Sequence, residues 1–298
     1  MYERRHADSA PLSVEQVQAL MRDGLLFRTA IDQRSATGVS SPTRSTAQRD
    51  KIPANTLLAT ASRTARLVEA MDLVDAPVYT LSATPHPTLP GRQMFEAADN
   101  ALVRLLLRPH RLRHSGFDMD TGSAAEIVGG ESRRSLVRGY KGKEFWHDGT
   151  LVFVGQGDEE FLSWGNRVEG QPLLINQVTL LESLLLFSRL AADLFTALGQ
   201  TTSKVEFVLQ LKRLCRDEMC PRLAPGPMRP HRRHLRTGQA PDCDFETRTT
   251  VSGSIVPGRI SYELAALVYE WFGLENDQIP YVEDADGLQI SEKQLAAT

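Results

Sequence analysis

The sequence predicts an α+β fold: an antiparallel meander packed on a long central helix, with further strands and helices toward the C-terminus. Three observations carry that expectation. Residues 176–199 have an apolar period covering more than half of a helix circumference, so this helix needs cover on several sides. Between about Arg111 and Trp164 the pattern shortens to β-rich runs separated by turn residues, with Asp148-Gly149 placed to form a type I′ hairpin turn. Strands also precede and follow long helices without the regular alternation that a parallel βαβ sheet requires.

Composition narrows the class. The 298 residues carry a formal net charge of -3, with 41% hydrophobic and 24% charged residues, which supplies both a core and a solvated surface and excludes a disordered or collagen-like chain. No window approaches the roughly 18 to 20 apolar residues of a membrane span, and MYERRHADSAPLS lacks the apolar stretch of a secretory signal. A cytoplasmic protein without membrane contact is therefore expected. Cys215, Cys220 and Cys243 are an odd count and point to reduced thiols rather than a disulfide framework. The near-neutral charge argues against a histone-like binder, leaving local patches as the route to any nucleic acid.

Taken in order, Met1 to Arg5 reads as an extended strand. Ser13 and Gln16 form a capping-box pattern at the head of a helix that carries Val14, Val17, Leu20 and Met21 and ends near Gly24. Residues 32–53 are an exposed polar linker, rich in Ser, Thr and Arg, which separates residues 1–31 from an α+β domain over 54–298. From Asn55 to about Leu73 the residues Leu57, Leu58, Ala61, Ala65, Leu67, Val68 and Met71 follow a helical period. VYTLSAT, residues 78–84, is a strand stopped by Pro85 and Pro87, and residues 93–107 return to helix spacing before Pro109. The meander consists of RLRHSGFDM, RRSLVRGY, KEFWHD, TLVFVGQ and EEFLSW. Asn176 caps the central helix and Gly199 closes it. KVEFVLQLKRL and DFETRTTVSGSI supply two more strands, RISYELAALVYEWFG a helix ending at Gly273, and Ser291 caps a short last helix.

MYERRHADSAPLSVEQVQALM resembles the closing strand and helix of the AlbA-type, Schlafen-like DNA-binding domain of bacterial proteins, which ends on a pattern of the kind Y-x-R-x-G-x-x-x-x-P-[ML]-[ST]-x-E-[EQ]-[IV]. RLRHSGFDMDTG, KEFWHDGTLVFVGQGDEEFLSWG and ELAALVYEWFGLENDQIPYVE look like the region that accompanies that domain. The resemblance implies that residues 1–31 close an AlbA-type domain and that the rest is the accompanying region. His6 stands where the pattern commonly has Gly, and the family's nucleic-acid-binding core lies upstream of the matched strand. The resemblance therefore implies an interaction or regulatory role more than inherited DNA binding.

Two constellations offer chemistry. Cys215-x4-Cys220 followed by His231-x2-His234, with Cys243 nearby as a spare, has the donor types of a zinc site, but the spacing is unlike the common finger and favours buried or incidental thiols that behave as small apolar residues. Basic runs form the second: Arg104, Arg108, Arg111 and Arg113; Arg133, Arg134, Arg138, Lys141 and Lys143; and Arg229, Arg232, Arg233 and Arg236. Of these, Arg111, Arg113, Arg133, Arg134, Arg232 and Arg233 are the candidate phosphate contacts, with Tyr140, Phe145 or Trp146 available to stack bases. Solvated faces or pairing with acids are the alternative. No Gly-x-Ser-x-Gly, Walker, His-Glu-x-x-His or dinucleotide motif occurs, so no cofactor is implied and no catalytic residue is assigned. The expected function is a non-enzymatic interaction or regulatory module binding a protein or nucleic-acid partner. The alternative is a hydrolase, a metal-dependent nuclease whose acids assemble only in the fold, of which Glu131, Glu144 and Lys143 are a faint version in the sequence.

Overall fold

The computed structural model describes residues 54–89, 91–113, 116–158, 160–164, 170–199, 204–224 and 237–297. The strand and helix expected over 1–31 and the linker over 32–53 lie outside the described residues. The architecture is α+β, built on a seven-stranded antiparallel sheet of order β10-β7-β1-β5-β4-β3-β2. Its strands are β1 (Val78–His86), β2 (Glu126–Val128), β3 (Ser132–Val137), β4 (Lys141–Trp146), β5 (Leu151–Gln156), β7 (Lys204–Lys212) and β10 (Phe245–Ser252). Along β5, Leu151 and Phe153 enter one apolar cluster while Val152 and Val154 enter another, as the two-residue period of a strand demands. Helix α1 (Ala54–Ala70) covers the valine face through Leu67, with Met71 just beyond its end.

The other face is covered by α4 (Gln177–Ala197), against which α5 (Pro257–Trp271) packs. Asn176 has extended backbone and its Oδ1 accepts from the Val178 and Thr179 N–H groups, which start the helix. Gly199, with φ +66°, ends it, because a left-handed residue is unstrained only without a Cβ. Every residue from Gln177 to Ser188 is buried, so α4 is the central core element. Each Leu or Phe it buries contributes about 1.5–3 kcal/mol. Three small strands, β6 (Leu174–Asn176), β8 (Arg222–Ala224) and β9 (Gly238–Gln239), make a side sheet. The hairpin β11 (Val282–Asp284) and β12 (Leu288–Ile290) leads to α6 (Glu292–Ala296), where Ser291 accepts from the Gln294 N–H. Among the described residues, no helix is long and apolar enough to cross a membrane.

The secondary structure differs from the sequence reading at five places. Strand β1 is not stopped by Pro85 but runs through it to His86, pairing Pro85 with Val205 and His86 with Lys204 of β7. Residues 93–107 form two helices, α2 (Gly91–Ala97) and α3 (Asp99–Leu107), and the break at Ala98 puts Asp99 where it grips Arg133 at 2.6 and 2.5 Å. The described residues of RLRHSGFDM, 111–113 and 116–119, form no strand: Arg113 is committed to Glu182 and Asp118 to Lys141, while Arg111 pairs locally with Asp118 and Asp120. Residues 160–164 of EEFLSW turn instead of extending, since Asp158 accepts from the Glu160 N–H through its side chain and from the Phe161 N–H through its carbonyl. The β4–β5 hairpin is a three-residue loop, His147 to Gly149, in which Gly149 alone has positive φ; Asp148 instead spends its carboxylate on Arg63 and the Thr150 N–H.

Candidate recognition pocket

Strand β4 divides its polar residues between two faces. Glu144 lies on the α1 side with its cross-strand neighbour Arg134, whose Nε and Nη2 donate to Oε2 at 3.0 and 2.9 Å, and it accepts from the Ser132 hydroxyl at 2.5 Å. Lys141 and Lys143 point the other way, beneath the segment 116–121 that runs over the sheet. Lys141 Nζ donates to the Asp118 carboxylate and carbonyl, both at 2.8 Å. Lys143 is wholly buried and donates to the Met119 carbonyl. Burial pushes its pKa from the ordinary 10.5 down to about 7, with Asp120 opposing, Lys141 adding to the shift and Asp118 opposing it. Burial works against the Asp120 carboxylate too, but the Gly122 N–H, Arg111 and Lys143 outweigh it and hold its pKa low.

The segment is anchored at its other end by Glu182 of α4. This buried carboxylate pairs with Arg113 and accepts from the Phe117 N–H at 3.0 Å, which fixes the Phe117 ring. Phe117 meets Phe161 edge to face, with centroids 4.6 Å apart and planes at 76°, and Tyr140 meets Phe161 at 6.1 Å and 79°. Phe161 lies directly on β5 because residue 155 is glycine: a Cβ there would come within 2.8 Å of the ring. Trp164, 58% exposed, completes the rim. The N-cap residue of α4 tethers it, since Asn176 Nδ2 donates to the Trp164 carbonyl at 3.1 Å.

Together Gly116, Phe117, Tyr140, Glu160, Phe161, Trp164 and Thr179 line a cavity of about 200 Å³. Acids outnumber cations by one around it: Asp118, Asp158, Glu160 and Glu182 stand against Lys141, Arg111 and Arg113 among the described residues. The Tyr140 hydroxyl registers that field, its pKa raised by burial and then by the charges of Asp118 and Glu160. Glu160 forms no ion pair among the described residues. The ring faces already hold one ammonium: Lys141 Nζ sits 5.5 Å from the Phe117 centroid and 5.4 Å from that of Tyr140.

The described residues among those that the sequence singles out for phosphate and metal binding make their contacts within the fold. Arg111 pairs with Asp118 and Asp120, Arg113 with Glu182, Arg133 with Asp99 and Arg134 with Glu144. Arg133 and Arg134, adjacent on β3, also leave on opposite faces of the sheet, so they cannot share one phosphate-binding surface. Phe145 and Trp146 are buried, and Arg63 covers Trp146 at 4.4 Å, which removes both as base-stacking platforms. Arg232, Arg233, His231 and His234 lie outside the described residues. Cys215 is bonded to Cys243 where reduced thiols were expected, so its sulfur is not a thiolate that can hold zinc beside Cys220. Glu131 is exposed while Glu144 and Lys143 occupy opposite faces of β4, so the nuclease trio is not assembled. Among the described residues, no three His, Cys, Asp or Glu side chains are grouped to hold a metal.

The pocket itself was not legible as a motif. Its rings come from three separate stretches of the chain, and only Tyr140 stood out along it, as a candidate base-stacking ring. No protein-family model, curated protein or solved structure matches this chain.

Proposed function

We propose that this chain is a non-enzymatic interaction module, of the kind that accompanies AlbA-type domains, and that it holds a lysine or arginine side chain of a protein partner in the Phe117–Tyr140–Phe161–Trp164 pocket. The observation that carries this reading is the exposed Trp164 ring beside the half-buried Phe117 and Tyr140 rings, which already accept one ammonium from Lys141, with the Glu160 carboxylate, unpaired among the described residues, at the same cavity. A cation over such faces gains about 0.5–1 kcal/mol at an exposed site and about 2 kcal/mol where desolvated. Size points the same way: about 200 Å³ is smaller than the roughly 300–1,000 Å³ of sites for drug-sized ligands and suits one inserted side chain. Among the described residues, neither a nucleophile–base pair nor a metal-ligand group lines the cavity, which favours binding over hydrolysis. A protein partner is favoured over nucleic acid because the four described candidate arginines are neutralised by carboxylates.

Trp164 reports directly on occupancy, and a Trp164→Phe variant isolates its signal. A short peptide with one free lysine should change the fluorescence saturably, whereas the same peptide with that lysine acetylated should not. Glu160→Gln should weaken the response about three- to tenfold, the equivalent of about 0.7–1.4 kcal/mol. An equal response to the acetylated peptide, or a stronger one to a single-stranded oligonucleotide, would remove the basis of the reading.

A further inference from the structure

The three cysteines converge at the end of the sheet that joins β7 to β10. Cys215 follows β7, Cys243 precedes β10, and their disulfide closes across the Leu211–Phe245 end of that strand pair, with Cα atoms 4.9 Å apart. Cys220 is a free thiol whose Sγ lies 3.9 Å from Cys215 Sγ. All three residues are partly exposed, so thiol chemistry there is open to solvent.

The backbone places Cys220 opposite Cys215 by register. Arg216 and Met219 exchange both hydrogen bonds, N–H to O at 3.1 and 2.8 Å, and Asp217 and Glu218 between them have φ +49° and +63°. That is a two-residue type I′ turn, and its hydrogen-bonded pair makes the next pair outward, Cys215 and Cys220, a non-hydrogen-bonded one. Such pairs have Cα atoms about 4.5 Å apart, inside the roughly 4.4–6.8 Å range that a disulfide spans. Cys215 therefore has two bonding partners within reach of one backbone arrangement.

We propose that Cys215, Cys220 and Cys243 form an intramolecular thiol–disulfide exchange site with Cys215 as the shared sulfur. The Cys220 thiol gives up its proton and the thiolate attacks Cys215 Sγ; the Cys215–Cys243 bond breaks as the Cys215–Cys220 bond forms; the Cys243 thiolate leaves and takes up a proton. One disulfide and one thiol exist before and after, so no oxidant or reductant is consumed. The consequence is topological. In one isomer the segment between the cysteines, including β8 and β9, is clipped to the start of β10; in the other the clip closes on the turn alone and Cys243 is free to react.

Peptide mapping tests this on the whole chain. Protein held with oxidised glutathione at pH 8.5 is quenched in acid, alkylated with N-ethylmaleimide and digested without reduction. Both Cys220 and Cys243 should carry label in different molecules, and the Cys215–Cys220 and Cys215–Cys243 linked peptides should both be present. Cys243→Ser should retain a monomeric disulfide, Cys215–Cys220, whereas Cys215→Ser should leave two labelled thiols. Label on Cys220 alone in the unaltered chain, three labelled thiols, or two labelled thiols in Cys243→Ser would each overturn the proposal.

Discussion

Lys143 makes the stability of this protein depend on pH in a direction opposite to that of a salt-bridged lysine. Its ammonium is buried against the Met119 carbonyl, and its pKa falls from 10.5 in the unfolded chain to about 7 in the folded one. Between those values the unfolded state holds a proton that the folded state has released, so the unfolded state binds more protons and stability rises with pH. Below about pH 7 both states are protonated and the folded state bears the whole cost of a buried charge, on the order of 5 kcal/mol. From pH 7.5 to 9.5 the gain approaches about 1.4 kcal/mol per pH unit, or roughly 2.5 kcal/mol over the range, equivalent to about 5–10 °C in Tm for a domain of this size. Other shifted groups stay out of that window. His86 titrates below its usual 6.5, and burial raises Tyr79 and Tyr269 above 10, so those tyrosines cost stability only at higher pH. Thermal melts at constant ionic strength, in a Cys220→Ser background that removes thiol exchange, give the slope. Lys143→Met should flatten it; a flat profile in the parent, or an unchanged rise in Lys143→Met, would refute the reasoning.

Two substitutions probe the scaffold that carries the pocket. Glu182→Ala strands Arg113 and the Phe117 N–H beside the core and should cost about 3–5 kcal/mol in urea unfolding, and a loss below about 1 kcal/mol would show that the pair is not a structural anchor. Gly155→Ala drives a Cβ into the Phe161 ring, which Tyr79, Phe117, Tyr140 and Phe153 hold from other sides. It should cost about 1–3 kcal/mol and abolish the Trp164 response to lysine peptides; a variant that is stable and still binds would place the ligand elsewhere.

The elements that were legible in the sequence are those whose signals are local. Asn176, Gly199 and the apolar run between them define α4, and the alternation of Leu151 to Val154 defines a strand buried on both faces. The ion-paired segments failed because they depend on contacts distant in sequence. RLRHSGFDM has strand-like spacing, yet Glu182, 69 residues beyond Arg113, and Lys141, 23 residues beyond Asp118, pull it into an irregular crossing of the sheet. The arginine runs looked like a phosphate-binding surface because their carboxylate partners, Asp99 and Glu144 among them, are spread along the chain. The cysteine geometry was hidden for a related reason: the type I′ turn forms at Asp217-Glu218, with no glycine to announce it. The short strands β2, β6, β8, β9, β11 and β12 carry too few residues for a period to register.

The claim that the aromatic pocket receives a cationic side chain is tested most directly by the proton spectrum of a peptide bearing one trimethyl-lysine. Methyl groups seated among the Phe117, Tyr140 and Trp164 rings experience their ring currents, so the N-methyl resonance should move upfield as protein is added and should return toward its free position with Trp164→Leu, an exposed substitution that leaves the core intact. An N-methyl resonance that stays at its free position while the peptide binds, or that shifts equally with Trp164→Leu, would contradict the account.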